Sequence, residues 1–320
     1  MIRIMMRSIC VVMAIAFAAS AQMQQPTTPA QQVPGSPTGT KTVAERLGYP
    51  ADSRLLVIHA DDFGMSHSEN RATIEALKNK WVTSASILVP CPWFPEVVKF
   101  AQENPDADLG IHLALNSEWT SYRWKPVTPS ANVPSLLDKD GYMPLIEPDV
   151  YKQAKIDQAE VEMRAQIDRA KSMGINVTHL DTHMGTIIGT PELFGLYMKL
   201  GAAYGTPQLL EQRPDFHGIK LNPQSILIDR VLGLAPGVSK ENWLKGYQDI
   251  LAPLPPGSYQ LIVHLAYDDE EMRGATSDHP DWGAAWRQND FDLVKNPEWQ
   301  KFLKDQKFIL VSWKDLAKAL

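Results

Sequence analysis

The sequence predicts an α/β fold, a (β/α) TIM-like barrel in a single domain whose parallel strands carry a site at their C-terminal ends. Short apolar, β-rich runs alternate with longer amphipathic segments from about residue 43 to the C-terminus. About seven of these runs read as strands, which suits a barrel better than an open sheet. No Gly-rich fingerprint follows any strand, so nothing supports a dinucleotide-binding fold.

The elements follow in order. Leu55–His59 is a continuous apolar run, the signature of a strand buried on both faces, and it ends in "ADDFG". Ser66 and Ser68 then open a helix over Glu69–Asn79. Ser84–Val89 reads as the second strand and Trp93–Glu103 as an amphipathic helix. Leu109–Leu115, "LGIHLAL", is the third strand. The segment 116–149 is long, aromatic and Pro-rich, the composition of a functional lid or an insert. Tyr151–Met173 reads as one long helix, Val177–Asp181 as a strand, and Glu192–Tyr204 as a helix. Gln208–Leu210, Leu261–His264 and Phe308–Val311 supply the remaining strands, with helices over Glu241–Leu251 and Pro297–Asp305.

Residues ahead of this pattern read differently. Arg3 and Arg7 precede an apolar run from Ile9 to Ala18 and a small-residue Ala19-Ser20-Ala21 end, the pattern of a secretory signal peptide, 1–21. The run is too short to read first as a membrane span. A flexible Pro/Gln-rich leader, 22–42, follows, and the folded domain is expected over 43–320. Export, periplasmic or secreted, is therefore expected, with no stable membrane insertion after cleavage. Cys10 leaves with the signal, so Cys91 has no disulfide partner. The net charge of -6 becomes about -8 once Arg3 and Arg7 are gone, and nucleic acid is not an expected partner.

Chemistry in such folds gathers where strands end. Asp61 and Asp62 end the first strand, and His112 lies in the third. "THLDTHMG" sets His179, Asp181 and His183 at i, i+2, i+4, one face of an extended chain, and His264 ends a late strand. The chain has only eight His, so their gathering at separate strand ends is informative. Each alone has a plain structural reading: a hydrogen-bonded core His, a loop cap, a helix N-terminal carboxylate. Two adjacent carboxylates at the end of a buried strand repel each other unless a cation compensates. One aspartate would ligate a divalent metal together with imidazoles, and its neighbour would remain free to accept a proton.

These residues carry a family resemblance. "HADDFGMS", "VTSASILV", "LGIHLAL", "THLDTHMG" and "LIVHLAYDD" resemble, in order, the motifs of the YdjC-like (ChbG/HpnK) carbohydrate deacetylases. The resemblance implies a distorted (β/α) barrel and a metal-dependent hydrolase that removes an N-acetyl group from an amino sugar or glycan. It implies Asp62, His112 and His183 as metal ligands, Asp61 as general base and His264 as acid. After that histidine the family continues Pro-Gly, whereas Leu265-Ala266-Tyr267 stand here. His179 and Asp181 are assigned to orienting the ligands. The expected cofactor is one divalent metal ion, with zinc or another late transition metal favoured by His-rich ligation and magnesium as the alternative.

Trp119, Tyr122 and Trp124 on the long segment, and Trp282 and Trp286, could stack on sugar faces or pack the loop onto the barrel. Arg123, Arg273 and Arg287 are read as solvated surface residues, and His59, His67, His217 and His279 as structural or exposed. The other readings are a single-metal phosphoesterase or amidase on the same ligands, and an exported glycan-binding barrel without chemistry. A phosphoesterase would more often show extra carboxylates for a second metal. The expected partner is an N-acetylated carbohydrate; oligomeric state is not legible.

Overall fold

The computed structural model describes residues 41–212, 216–221 and 225–320. The expected signal segment, and the leader up to residue 40, lie outside the described residues. Among the described residues nine strands pair, every pair in parallel: β1 (Arg54–Phe63), β2 (Ser84–Ile87), β3 (Leu109–Leu113), β4 (Val177–Thr182), β5 (Gln208–Glu211), β6 (Ser225–Ile228), β7 (Arg230–Leu232), β8 (Gly257–Val263) and β9 (Phe308–Leu310). The order is β6-β5-β4-β3-β2-β1-β8-β7. Only Asp229 separates β6 from β7, and they are in effect one extended segment. Its first half pairs with β5 and its second half with β8. Gln212 N–H donates to Ile228 O (2.8 Å) and Asp229 N–H to Ser258 O (2.8 Å), so the segment bridges the two ends of the sheet. The result is a nearly closed barrel, as expected.

β1 is the central strand. Leu55, Leu56, Val57 and Ile58 are completely buried, as both faces of a covered parallel strand must be. It also locates the distortion: β9 pairs its first residues, Arg54 to Leu56, while β2 pairs its end from His59 onward. Between Ala60↔Ala85 and Phe63↔Ile87 the register shifts, so β1 carries one residue more than its partner. Such a bulge turns side chains to new directions. The extra residue falls at Asp61-Asp62.

The elements depart from expectation at several places. The long helix expected over Tyr151–Met173 is two, Glu147–Gln153 and Ile156–Ser172. Ala154 and Lys155 are extended between them, and Gln153 Nε2 donates to the carbonyls of Ser135 and Leu137, which draws the first helix to the long loop. β3 stops at Leu113 because Gln166 takes both Ala114 N–H (3.1 Å) and Ala114 O (2.8 Å). Helices Glu270–Ala275 and Ala284–Val294, after β8, were not expected. The segment 116–149 is not loose: Glu162 accepts from Val127 N–H and Thr128 N–H, both at 2.9 Å, and two short 3-10 turns shape its middle. No helix among the described residues is long and apolar enough to cross a membrane.

Candidate metal centre and active site

The bulge brings Asp61 and Asp62 into the mouth of the barrel together. Asp62 has φ +64, outside the usual range for a side-chain-bearing residue, and Gly64 follows at φ +109. The turn is held from outside, since Gly64 N–H donates to Asn70 Oδ1 (2.7 Å) on the helix His67–Lys78. Ser66 caps that helix by accepting from Glu69 N–H (3.1 Å), the role its position predicted.

Asp62 Oδ1 lies 3.5 Å from His112 Nε2 and 3.3 Å from His183 Nδ1. All three side chains are buried, and their ligand atoms lie within 4.8 Å of one another. Asp62 Oδ1 accepts no well-formed hydrogen bond, an orphaned buried carboxylate oxygen facing two imidazole nitrogens. Two nitrogens and one oxygen converging in this way fit a divalent transition metal with open positions for water and substrate. The structure therefore brings together the three residues expected as ligands.

The far side of each of these three side chains is also engaged. His112 Nδ1–H donates to Asp181 Oδ1 (2.7 Å), with Ser86 Oγ at 3.1 Å. His183 Nε2–H donates to Glu118 Oε2 (2.8 Å), on the long loop. Arg287 Nη2 donates to Asp62 Oδ2 (3.0 Å), while Nη1 pairs with Glu69. Asp181 is hydrogen-bonded to His112, one of the three residues expected as ligands. His179 does not touch a ligand. Its ring stacks on Trp313 (4.9 Å between centroids), Thr178 Oγ1 lies 2.9 Å from Nδ1, and it meets the site only through His59 and Asp181.

Asp61 Oδ1 is 3.3 Å from His59 Nε2, which donates to Asp181 Oδ2 (3.0 Å). His264 Nε2 stands 4.0 Å from Asp61 Oδ2 and 3.9 Å from Asp62 Oδ2. Its backbone N–H is anchored on Asp290 Oδ2 (2.9 Å) and its ring packs against Trp286.

The two adjacent carboxyls are electrostatically unlike. Burial raises Asp61 to about 6, against the opposing pull of His112 and His59. Burial would raise Asp62 as well, but the Arg287 guanidinium, then His183 and His264, hold it well below the usual carboxylate range. Burial lowers the imidazoles, yet Asp181 and Asp61 lift His112 to about 9, and Glu118 and Asp62 lift His183 well above the ordinary value. A cluster that draws protons onto its imidazoles is one that attracts a cation. Burial dominates at His264, lowered to about 3, with Arg287, His112 and His183 adding to it against Asp62.

Trp119, Trp124 and Trp286, expected to contact sugar or to pack, are 2%, 2% and 6% exposed. Trp119 and Trp124 lie in an apolar cluster with Met65, Met143 and Met272, Trp124 also meets His183 edge-on, and Trp286 lies against His264. Their burial supports packing. Arg287, read as a solvated surface residue, is 3% exposed and pairs with Asp62. His59, expected to be structural or exposed, is fully buried between Asp61 and Asp181. One signal for it was present, because His59 and Asp61 are two apart on one strand and share a face. Glu118, Glu69 and Arg287 offered no such local signal.

A nearly closed parallel barrel with a carboxylate–imidazole cluster at the C-terminal ends of its strands defines an α/β barrel whose clustered side chains could hold a cation. Residues 55–305 match the family described as YdjC-like protein. The chain belongs to the YdjC-like family. A carbohydrate deacetylase of Thermus thermophilus is 32% identical over 287 residues, 86% of this chain and 98% of that one. A carbohydrate deacetylase of Thermoanaerobacter pseudethanolicus is 26% identical over 260 residues, 81% of this chain and 98% of that one. Among solved structures, an Enterococcus faecalis protein described as a candidate cellobiose-phosphate cleavage protein shares the fold, with TM-score 0.68, 22% identity, and coverage of 82% of this chain and 99% of that one.

Proposed function

We propose that this chain is a metal-dependent hydrolase that removes the N-acetyl group of an amino sugar or glycan. The observation that carries the reading is the orphaned Asp62 Oδ1 facing His112 Nε2 and His183 Nδ1, with a second carboxyl, Asp61, beside it and free of the guanidinium. The deacetylase names of the relatives support the substrate class.

Asp62, His112 and His183 would hold one divalent cation, zinc or another late transition metal suiting the imidazole-rich set. Such an ion, when bound, supplies a Lewis acid for the amide carbonyl and makes water more acidic. Asp61 is the general base. Its carboxyl, raised to about 6, is ionised at neutral pH yet a better proton acceptor than Asp62. His264 is placed to give the departing amine its proton. Burial holds that imidazole neutral, so the proton must arrive during turnover, and Asp61 Oδ2, 4.0 Å from Nε2, would pass it through one intervening water. Asp181 fixes which nitrogen of His112 faces the ligand atoms, and Glu118 does the same for His183. The signal-like segment supports export, which directs the search for substrate to N-acetylated sugars outside the cytoplasm.

The test compares wild type with His112→Ala/His183→Ala for bound metal and for acetate released from N-acetyl amino sugars and chito-oligosaccharides. Near-stoichiometric metal and acetate release in the wild type, both lost in the variant, is the expected result. A wild type that takes up no metal after reloading sinks the mechanism.

A further inference from the structure

We infer that Arg287 is a positioning residue for the metal ligand Asp62, and that Glu69 serves as its counter-charge. The inference rests on the metal reading above and extends it to a pair that lies outside the ligand set. Asp62 and Arg287 are 225 positions apart, on β1 and on the helix Ala284–Val294, and meet at 3.0 Å through Asp62 Oδ2 and Nη2. Both are nearly inaccessible, at 2% and 3% exposed. Arg287 is held in turn by Glu69, completely buried on the helix His67–Lys78, and its guanidinium lies 5.6 Å over the Trp119 ring.

This arrangement does two things to Asp62. A carboxylate can rotate and offer either oxygen, or both, to a cation. With Oδ2 taken by a charge-assisted hydrogen bond, Oδ1 alone is left facing His112 and His183. The guanidinium also makes the two adjacent aspartates unlike, since it contacts Asp62 while Asp61 faces His59, His112 and His264. A lone guanidinium beside a dication would be repulsive. Glu69 answers that problem: burial pushes its carboxyl up, but the guanidinium in contact with it favours the ionised form, so the pair offsets the positive charge that Arg287 alone would place beside Asp62. Arg287 and Glu69 reach the ligand set through Asp62, the one member of it that the guanidinium pairs with, so their action passes through that carboxylate.

The experiment uses cobalt(II) as the probe, because its visible spectrum reports ligand number and geometry. The full chain and the double variant Glu69→Met/Arg287→Met are titrated with cobalt against a competing chelator. The double variant removes Arg287 and Glu69 together and so strands neither of them, while Asp62 keeps the His112 and His183 rings beside it, and the variant is expected to fold with reduced stability. Loss of a group that orients a metal ligand typically weakens metal binding or activity 10–100-fold. The expected result is therefore a Kd raised about tenfold or more with an altered cobalt spectrum. Arg287→Lys, which keeps the charge but cannot bridge Asp62 and Glu69 with a fork, is expected to fall between the two, and it carries the test if the double variant does not fold. Cobalt bound by wild type and by a folded variant with the same Kd and the same spectrum overturns the inference alone. A wild type that binds no cobalt overturns the metal reading and this inference together.

Discussion

His112 Nδ1 lies 2.7 Å from Asp181 Oδ1, and that hydrogen bond determines which edge of the imidazole faces Asp62. Asp181 also accepts from His59 at 3.0 Å, so its two oxygens are committed to two imidazoles on different strands. An amide in its place would offer an N–H to one of those rings and lose the charge. Asp181→Asn is therefore expected to weaken metal binding or activity by about 10–100-fold with the fold retained. Chelator competition on a variant with an unchanged circular dichroism spectrum measures it. Unchanged metal affinity and activity would remove Asp181 from the ligand-orienting role.

That bond was half legible in the sequence. The apolar runs and what ends them marked Asp61, Asp62, His112, Asp181 and His183, because strand ends are local features and a period of two assigns faces. Arg287 could not be found in this way. A charged residue on a helix reads as solvated by default, and only the packing of the helix Ala284–Val294 against β8 and the helix His67–Lys78 turns it inward, toward a partner 225 positions away. The Ser225–Leu232 segment that bridges the sheet was also missed, since its strands are 4 and 3 residues long and no more than half of the residues in either are buried. The long loop followed the reverse course. Its composition suggested a functional lid or an insert, and Trp119, Trp124 and Met143 pack it down in one buried cluster beside the site.

The pH profile should report Asp61. Its carboxyl is raised to about 6 by burial, and a general base works only when ionised. The sign follows: kcat/KM falls as pH drops through the folded pKa and reaches a plateau above it. A bound cation favours the carboxylate, so the midpoint is expected at or below about 6. Asp61→Asn should lose about 10²–10⁴-fold in kcat and the acid limb with it. An acid limb that survives unchanged in Asp61→Asn assigns the base elsewhere.

Metal affinity should itself rise with pH. His112 is lifted to about 9 and His183 well above the ordinary value by neighbouring carboxylates, so a cation must displace protons from both rings. Each proton displaced corresponds to roughly a tenfold gain in apparent affinity per pH unit while the imidazole is still protonated. Calorimetric titrations in buffers of different ionisation enthalpy count the protons released. Release of none would mean that the rings are neutral before the metal arrives.

Loading should also stabilise the fold, because the three proposed ligands come from β1, β3 and the end of β4 and have no reason to converge in the unfolded chain. An ion at about a hundred times its Kd adds about 2.7 kcal/mol. For a domain of this size that corresponds to a rise in Tm of about 4–5 °C. His112→Ala/His183→Ala should show no such gain, and a chelator should reverse the gain in wild type. Equal gains in both proteins would place the ion somewhere other than this site.

The last prediction concerns the layer beneath the site. Gly110 lies in β3 two residues before His112, on the same face, and a Cβ built there would fall 2.4 Å from the ring of His179. That contact is far inside van der Waals range. The ring cannot easily retreat, because it stacks on Trp313 and its Nδ1 lies 2.9 Å from Thr178 Oγ1. Gly110→Ala should therefore destabilise the fold by about 1–3 kcal/mol, the usual cost of overpacking. Trimming the ring should relieve the clash, so Gly110→Ala in a His179→Ala background should cost much less than it does alone. Residues in direct contact show such coupling, whereas independent sites add. Urea denaturation of the two single variants and the double variant closes the cycle. Strict additivity would mean that the barrel makes room for the methyl by moving β3, and His112 would then shift with it.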